Sequence, residues 1–183
     1  MDAQLDDLIQ TLGRFETLMP TVAQASQTLI QSLRSGGKIL TCGNGGSAAD
    51  ASHMSEELVG RYKGERKSLA SICLNSDGPL LTCIGNDYGF DTVFSRQIEG
   101  LGRSGDTLVV FTTSGNSENI RRALVAAKPL GIKTISLLGK DGGKCRGLAD
   151  QEIIVPSAVG ARVQEIHTFV MHWWLERIEG ERW

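Results

Sequence analysis

Residues 41–57 read TCGNGGSAADASHMSEE and follow a short apolar run, Lys38-Ile39-Leu40. Three glycines, an asparagine and a serine fill Gly43 to Ser47 before a helix-compatible run begins, so the stretch reads as strand, sharp turn and helix start. At a helix start the first backbone N–H groups lack intrahelical partners, and the macrodipole adds about half a positive charge, so a phosphate can sit there without a lysine. The same helix then carries His53 and Glu57, four residues apart and neighbours on one face. An anion holder and a proton-transfer or metal-ligand pair share one element. Taken alone, His53 and Glu57 read as an ordinary surface pair worth roughly a few tenths of a kcal/mol.

Outward from this turn, short β-rich runs alternate with helical stretches: residues 38–42, 69–74, 107–112, 133–138 and 152–156. Nearly continuous apolar strands divided by helices predict an α/β fold, a doubly wound five-stranded parallel sheet covered on both faces. Ahead of it, Leu5, Leu8, Ile9, Leu12 and Phe15, then Val22, Leu29, Ile30 and Leu33 beyond Pro20, fall at helical spacing and predict two helices or one bent helix ending at Gly36-Gly37. A long C-terminal helix is expected over 161–179. The 183 residues suit one domain, with 1–35 as an N-terminal helical segment used in oligomer packing and 36–183 as the α/β core and C-terminal helix.

In such sheets ligands collect beyond the carboxyl ends of the strands. After the third strand comes Thr112-Thr113-Ser114-Gly115-Asn116-Ser117, rich in hydroxyls and again leading into a helix, at Glu118 to Lys128. One such loop alone is as readily a cap turn. Two at the same edge favour anion binding. Asn86-Asp87-Tyr88-Gly89 is expected to break a helical segment and to bring a polar pair toward that edge, although turn chemistry explains it equally well. The turn GKDGGK at 139–144 reads as flexible, with Lys140 and Lys144 solvated. On the last helix, Gln164 and His172 lie about 80° apart, whereas His167 and His172 lie about 140° apart, so the two histidines do not serve one site.

Charges nearly cancel, at 19 Lys plus Arg against 21 Asp plus Glu, which implies no broad cationic surface for nucleic acid or anionic lipid. No apolar run approaches the roughly 20 residues of a membrane span, and the start lacks the basic character of a secretory signal, so a soluble cytoplasmic protein is expected. Cys42, Cys73, Cys83 and Cys145 form no CxxC pair and read as reduced, inert thiols. Three tryptophans in HWWLERIEGERW, with the amphipathic N-terminal helices, imply apolar surface that calls for an oligomer; packing within the chain is the alternative.

Gly43 to Ala48 also fits the loose dinucleotide form GxGxxA. The expected acidic residue is poorly placed, since Asp77 comes about 30 residues later, beyond Asn75-Ser76. A P-loop fails because no Lys-Ser or Lys-Thr follows the glycines. Neither accounts for the hydroxyl-rich second loop.

Together, CGNGGSAADASHMSEELVGRY, GNDYGF, TTSGNS, GKDGGK and QEIHTFVMH resemble the sugar isomerase (SIS) domain and, within it, the phosphoheptose isomerases, over nearly the whole chain. The resemblance implies an aldose–ketose isomerase acting on sedoheptulose 7-phosphate through an enediol, and a homotetramer with active sites at subunit interfaces. It implies a phosphate held by Thr112, Thr113, Ser114 and Ser117, with Asn44, Gly45, Gly46, Asn86 and Asp87 meeting the sugar hydroxyls and Ser47 close by. It also implies one zinc per subunit on His53, Glu57, Gln164 and His172, with Glu57 and His172 as acid and base and Glu57 and Gln164 also meeting substrate. Such chemistry suits a carboxylate whose pKa burial raises and an imidazole that titrates near neutrality. The family's product feeds nucleotide-activated heptose for surface glycans. Thr112 stands where Ser is common, which keeps the hydroxyl, and Ala161 stands where some members have Asp, so a mechanism requiring that carboxylate could not operate here. SIS domains also act as non-catalytic phosphosugar sensors, and a related replication-initiation partner lacks the catalytic pair; the presence of both Glu57 and His172 favours an enzyme.

Overall fold

The computed structural model describes residues 2–183, and each of the five strand-like runs contains a strand. β1 (Ile39–Gly43), β2 (Ser71–Cys73), β3 (Thr107–Thr112), β4 (Lys133–Gly139) and β5 (Gln151–Val155) form one parallel sheet in the order β2-β1-β3-β4-β5. The chain steps from β1 outward to β2, then returns to place β3 on the other side of β1. That reversal opens a crevice at the carboxyl ends of β1 and β3, which pair in register up to Gly43 opposite Phe111.

Among the described residues, seven α-helices complete the fold: α1 (Ala3–Phe15), α2 (Met19–Arg34), α3 (Gly46–Val59), α4 (Gly78–Tyr88), α5 (Ser95–Leu101), α6 (Glu118–Ala127) and α7 (Gly160–Glu179). α1 starts where the Asp2 carboxylate accepts the N–H of Gln4 at 2.8 Å, satisfying a donor the helix leaves free. α1 and α2 are separate helices because a single 3₁₀ turn, Glu16–Leu18, intervenes and Pro20 in the first turn of α2 can donate no hydrogen bond to it.

Alternation along the strands makes two cores. Ile39, Val109, Phe111, Ile135, Leu137 and Ile153 face α2, α3 and α7. Leu40, Cys42, Leu108, Val110 and Leu138 face α4, α5 and α6. The central strands are buried on both sides, which is why they read as unbroken apolar runs.

The C-terminal tryptophans correct one expectation. Trp174 is wholly buried in its own chain, its indole N–H donating to the Val22 carbonyl at 2.9 Å, and Trp173 and Trp183 pack half-buried against the same core. Uncovered apolar side chains lie elsewhere, among them Leu5 and Ile9 on α1, 49% and 51% exposed, Tyr88 and Phe90 at the end of α4, and Phe169 on α7, edge-on to Phe15. Among the described residues, no helix is long and apolar enough to cross a membrane.

Candidate functional site

Two turns line the crevice. The first, Gly43 to Ser47, is fixed by asparagines that sequence reading passed over. Asn75 grips the Gly43 peptide from both ends, accepting its N–H at 3.1 Å and donating to its carbonyl at 2.9 Å. On the other side the amides of Asn44 and Asn119 exchange two hydrogen bonds, at 2.8 and 3.0 Å. Gly45 takes φ 58°, where a side chain would be strained, and a Cβ on Gly46 would come within 2.5 Å of both polar atoms of the Gln164 amide.

The second turn, Thr112 to Ser117, is braced by the GKDGGK segment, whose Lys140 and Lys144 are exposed. Gly115 has φ 64°, and a Cβ there would lie 1.9 Å from the Gly142 carbonyl oxygen, so the close approach needs glycine. The Gly115 carbonyl accepts from the Cys145 N–H at 2.9 Å, and Asn116 Oδ1 accepts from the Lys144 N–H at 3.2 Å. Within the turn the buried Thr112 hydroxyl accepts from the Gly115 N–H at 3.2 Å, and Ser114 Oγ accepts from the Asn116 N–H at 3.2 Å. Ser117 occupies the N-cap position of α6 without a side-chain capping bond. Its hydroxyl, with that of half-buried Thr113, therefore remains available to an anion at the helix start.

The side chains suited to proton transfer or metal ligation come from α3 and α7, which run alongside each other in register. Gly46 meets Gln164, Asp50 meets Thr168, and His53 meets His172, so each step of about one turn on α3 is matched by one on α7. His53 Nε2 lies 3.4 Å from Glu57 Oε1, and the His53 and His172 rings meet edge-on with centroids 5.1 Å apart. Tyr62 stacks on the other face of His172 at 5.7 Å. Tyr62 is held there because the Glu179 carboxylate accepts the backbone N–H groups of Tyr62, Lys63 and Gly64.

Asp50 is a residue of this cluster that sequence reading missed. It is buried, Oδ1 accepts the Thr168 hydroxyl at 3.0 Å, and Oδ2 has no partner. Burial raises the Asp50 pKa, while the Thr168 hydrogen bond and the fields of His53 and His172 pull it down. Burial, and then His53, lower the His172 pKa; Glu57 and Asp50 act the other way. The only sequence signal for Asp50 was its place one turn before His53 on the same helix.

The cluster fits a metal ion. Tetrahedral bonds of about 2.0–2.2 Å put neighbouring ligand atoms about 3.4 Å apart, the spacing between His53 and Glu57. His53, Glu56 and Glu57 each offer a ligand atom within 4.8 Å of the others, which adds exposed Glu56 to the expected residues. Gln164 lies against Gly46, at the crevice end of the α3–α7 pairing, whereas His172 sits directly on His53.

Asn86 and Asp87 do not lie in a loop. α4 continues through Tyr88 and ends at Gly89, φ 85°, so both occupy its last turn, exposed and hydrogen-bonded to each other at 2.7 Å. Apart from a 3.7 Å contact between Asp87 and Cys83, their side-chain hydrogen bonds go no further. His167 stands apart from His172, as the helical angle requires: it is fully buried, hydrogen-bonded to the Leu138 carbonyl at 3.2 Å, and desolvation lowers its pKa to about 4. Asp77 caps α4 by accepting the Leu80 N–H at 2.8 Å, which removes the acidic residue a dinucleotide site would need.

A parallel sheet reversed at β1 and β3 places two glycine-dependent turns at the reversal, where ligands collect in such folds. The chain belongs to the SIS domain family, which it matches over residues 5–139, and within that family to the phosphoheptose isomerases. It is 47% identical over 181 residues to a phosphoheptose isomerase of Helicobacter hepaticus, covering 99% of this chain and 92% of that one. Solved phosphoheptose isomerases from Francisella tularensis and Neisseria gonorrhoeae superpose with TM-scores of 0.95 and 0.92, at 36% and 42% identity, each over 98% of this chain and 96% of the other.

Proposed function

We propose that this protein interconverts sedoheptulose 7-phosphate and D-glycero-D-manno-heptose 7-phosphate through an enediol, opening the synthesis of nucleotide-activated heptose. The observation that carries the reading is that α3 starts from one of two anion-suited turns at the carboxyl edge of the sheet and, farther along, brings His53 and Glu57 together with His172 of α7. The turn Thr112–Ser117 receives the phosphate through Thr112, Thr113, Ser114 and Ser117. Gly45, Gly46, Ser47, Gln164, Asn86 and Asp87 meet the sugar, and Asn44 contributes through its backbone because its amide is engaged with Asn119.

Glu57 takes a proton from C1 while His172 supplies one to the carbonyl oxygen at C2, giving the enediol. Returning the first proton to C2 and withdrawing one from the C1 hydroxyl gives the aldose, with no net proton change. Each group is worth about 10²- to 10⁴-fold in rate. His53, Glu57, Gln164 and His172 would hold one zinc per subunit, which when bound would polarise the substrate carbonyl. Glu57 serves as base only if its ligation is loose or released on substrate binding.

The exposed Leu5, Ile9 and Leu12 face of α1, continuous with Phe169, supports packing of residues 1–35 in a homotetramer. Four free thiols are consistent with a reducing cytoplasm.

The test is NMR observation of sedoheptulose 7-phosphate incubated with the protein, alongside metal analysis. An aldose 7-phosphate signal growing with enzyme concentration is expected. Phosphosugar binding without turnover in the zinc-loaded protein would favour a sensor instead.

A further inference from the structure

The Thr112–Ser117 turn and the Gly43–Ser47 turn end adjacent strands, and their backbone ladder stops at Gly43 opposite Phe111. Beyond it, among the described residues, the side-chain hydrogen bonds that cross from one turn to the other are those of the Asn44–Asn119 pair. Asn119 is the second residue of α6 and is 2% exposed. Its Oδ1 also accepts the N–H of Ile120 at 2.9 Å, so one amide closes the first turn of the phosphate-side helix and holds the glycine turn. On its far side the glycine turn rests against Gln164 and runs into α3, the helix of His53 and Glu57.

We propose that Asn119 is a positioning residue that couples occupancy of the phosphate turn to the shape of the glycine turn, and so to the alignment of substrate with Glu57. The catalytic part of this statement rests on the isomerase reading above; the coupling does not. A part-buried amide pair has two discrete conditions, closed with both hydrogen bonds made or open with the buried Asn119 groups unpaired, and the second carries the desolvation cost of an unmade hydrogen bond. An anion drawing the first turn of α6 toward itself therefore carries Asn44 with it.

The coupling is tested by hydrogen exchange with inorganic phosphate as the probe. In the unaltered protein, phosphate is expected to slow amide exchange in residues 112–121 and also in 43–50. In Asn119→Ala, protection of 112–121 should remain and that of 43–50 should vanish. Asn44→Ala, which opens the same pair from its half-exposed side, should give the same result and serves if the first variant folds poorly. The kinetic arm predicts kcat for sedoheptulose 7-phosphate lower by about 10- to 100-fold in either variant with a much smaller change in KM, and no further fall in the double variant. Equal phosphate protection of 43–50 in the variants and the unaltered protein overturns the coupling. Coupled exchange with no turnover in the unaltered protein would overturn the isomerase reading and leave the coupling standing.

Discussion

The Thr112–Ser117 turn, at the carboxyl edge of the sheet, and the His53–Glu57–His172 cluster, farther back along α3 and α7, are held by different forces. The turn is a backbone object: Gly115 fits because Gly142 leaves no room for a Cβ, and each brace is a short hydrogen bond to the main chain. It contains no charged side chain, so no side chain of the turn itself titrates when an anion binds. The cluster is a side-chain object, assembled across α3 and α7 from half-buried titratable groups, with the His172 pKa lowered by burial and by His53, and with buried Asp50 alongside. In the proposed reading, binding rests on uncharged parts and proton transfer on chargeable ones. Damage at one end should therefore leave the other largely intact.

The largest expected effect comes from His172→Gln. It should lower kcat by about 10²- to 10⁴-fold while isothermal titration shows phosphate affinity kept, because the exchange touches only the proton-transfer end.

Next is a pH effect on stability at His167, which shares α7 with His172 but anchors the helix to Leu138. Its folded pKa, about 4, lies below the ordinary unfolded value of about 6.5, so the unfolded chain binds the proton first as pH falls. Stability is thus full above pH ~6.5 and declines toward pH ~4, by about 3 kcal/mol. Urea melts across that range should show this slope, and His167→Asn should flatten it.

Gly115→Ala should cost about 1–3 kcal/mol through its positive φ, more if the Gly142 clash is not relieved, and should raise KM more than it lowers kcat. Thr168→Val, which takes the hydroxyl from Asp50, should cost about 1 kcal/mol in denaturant melts and disturb only the α3–α7 end.

The two regions were not equally legible in the sequence. The strands and both turns are local patterns, because a buried parallel strand is mostly apolar and a turn at positive φ favours glycine. What holds the turns was hidden: Asn75, Asn119 and GKDGGK act across 32, 75 and about 28 residues of chain, and an asparagine carries no periodicity that marks its partner. His53 and Glu57 could be paired by helical spacing, but setting His172 and Gln164 against them needed the register of two helices more than a hundred residues apart, which came only from family resemblance. Asp50 looked like any polar helix residue until α7 covered it. Trp174 misled for the opposite reason, since composition shows an apolar surplus and not which face absorbs it.

The division of labour is tested most directly by Glu57→Gln, with sedoheptulose 7-phosphate binding and turnover measured on one zinc-loaded preparation. The account predicts a dissociation constant within a few-fold of the unaltered protein's and turnover lower by about 10²-fold or more. Turnover close to that of the unaltered protein would contradict it.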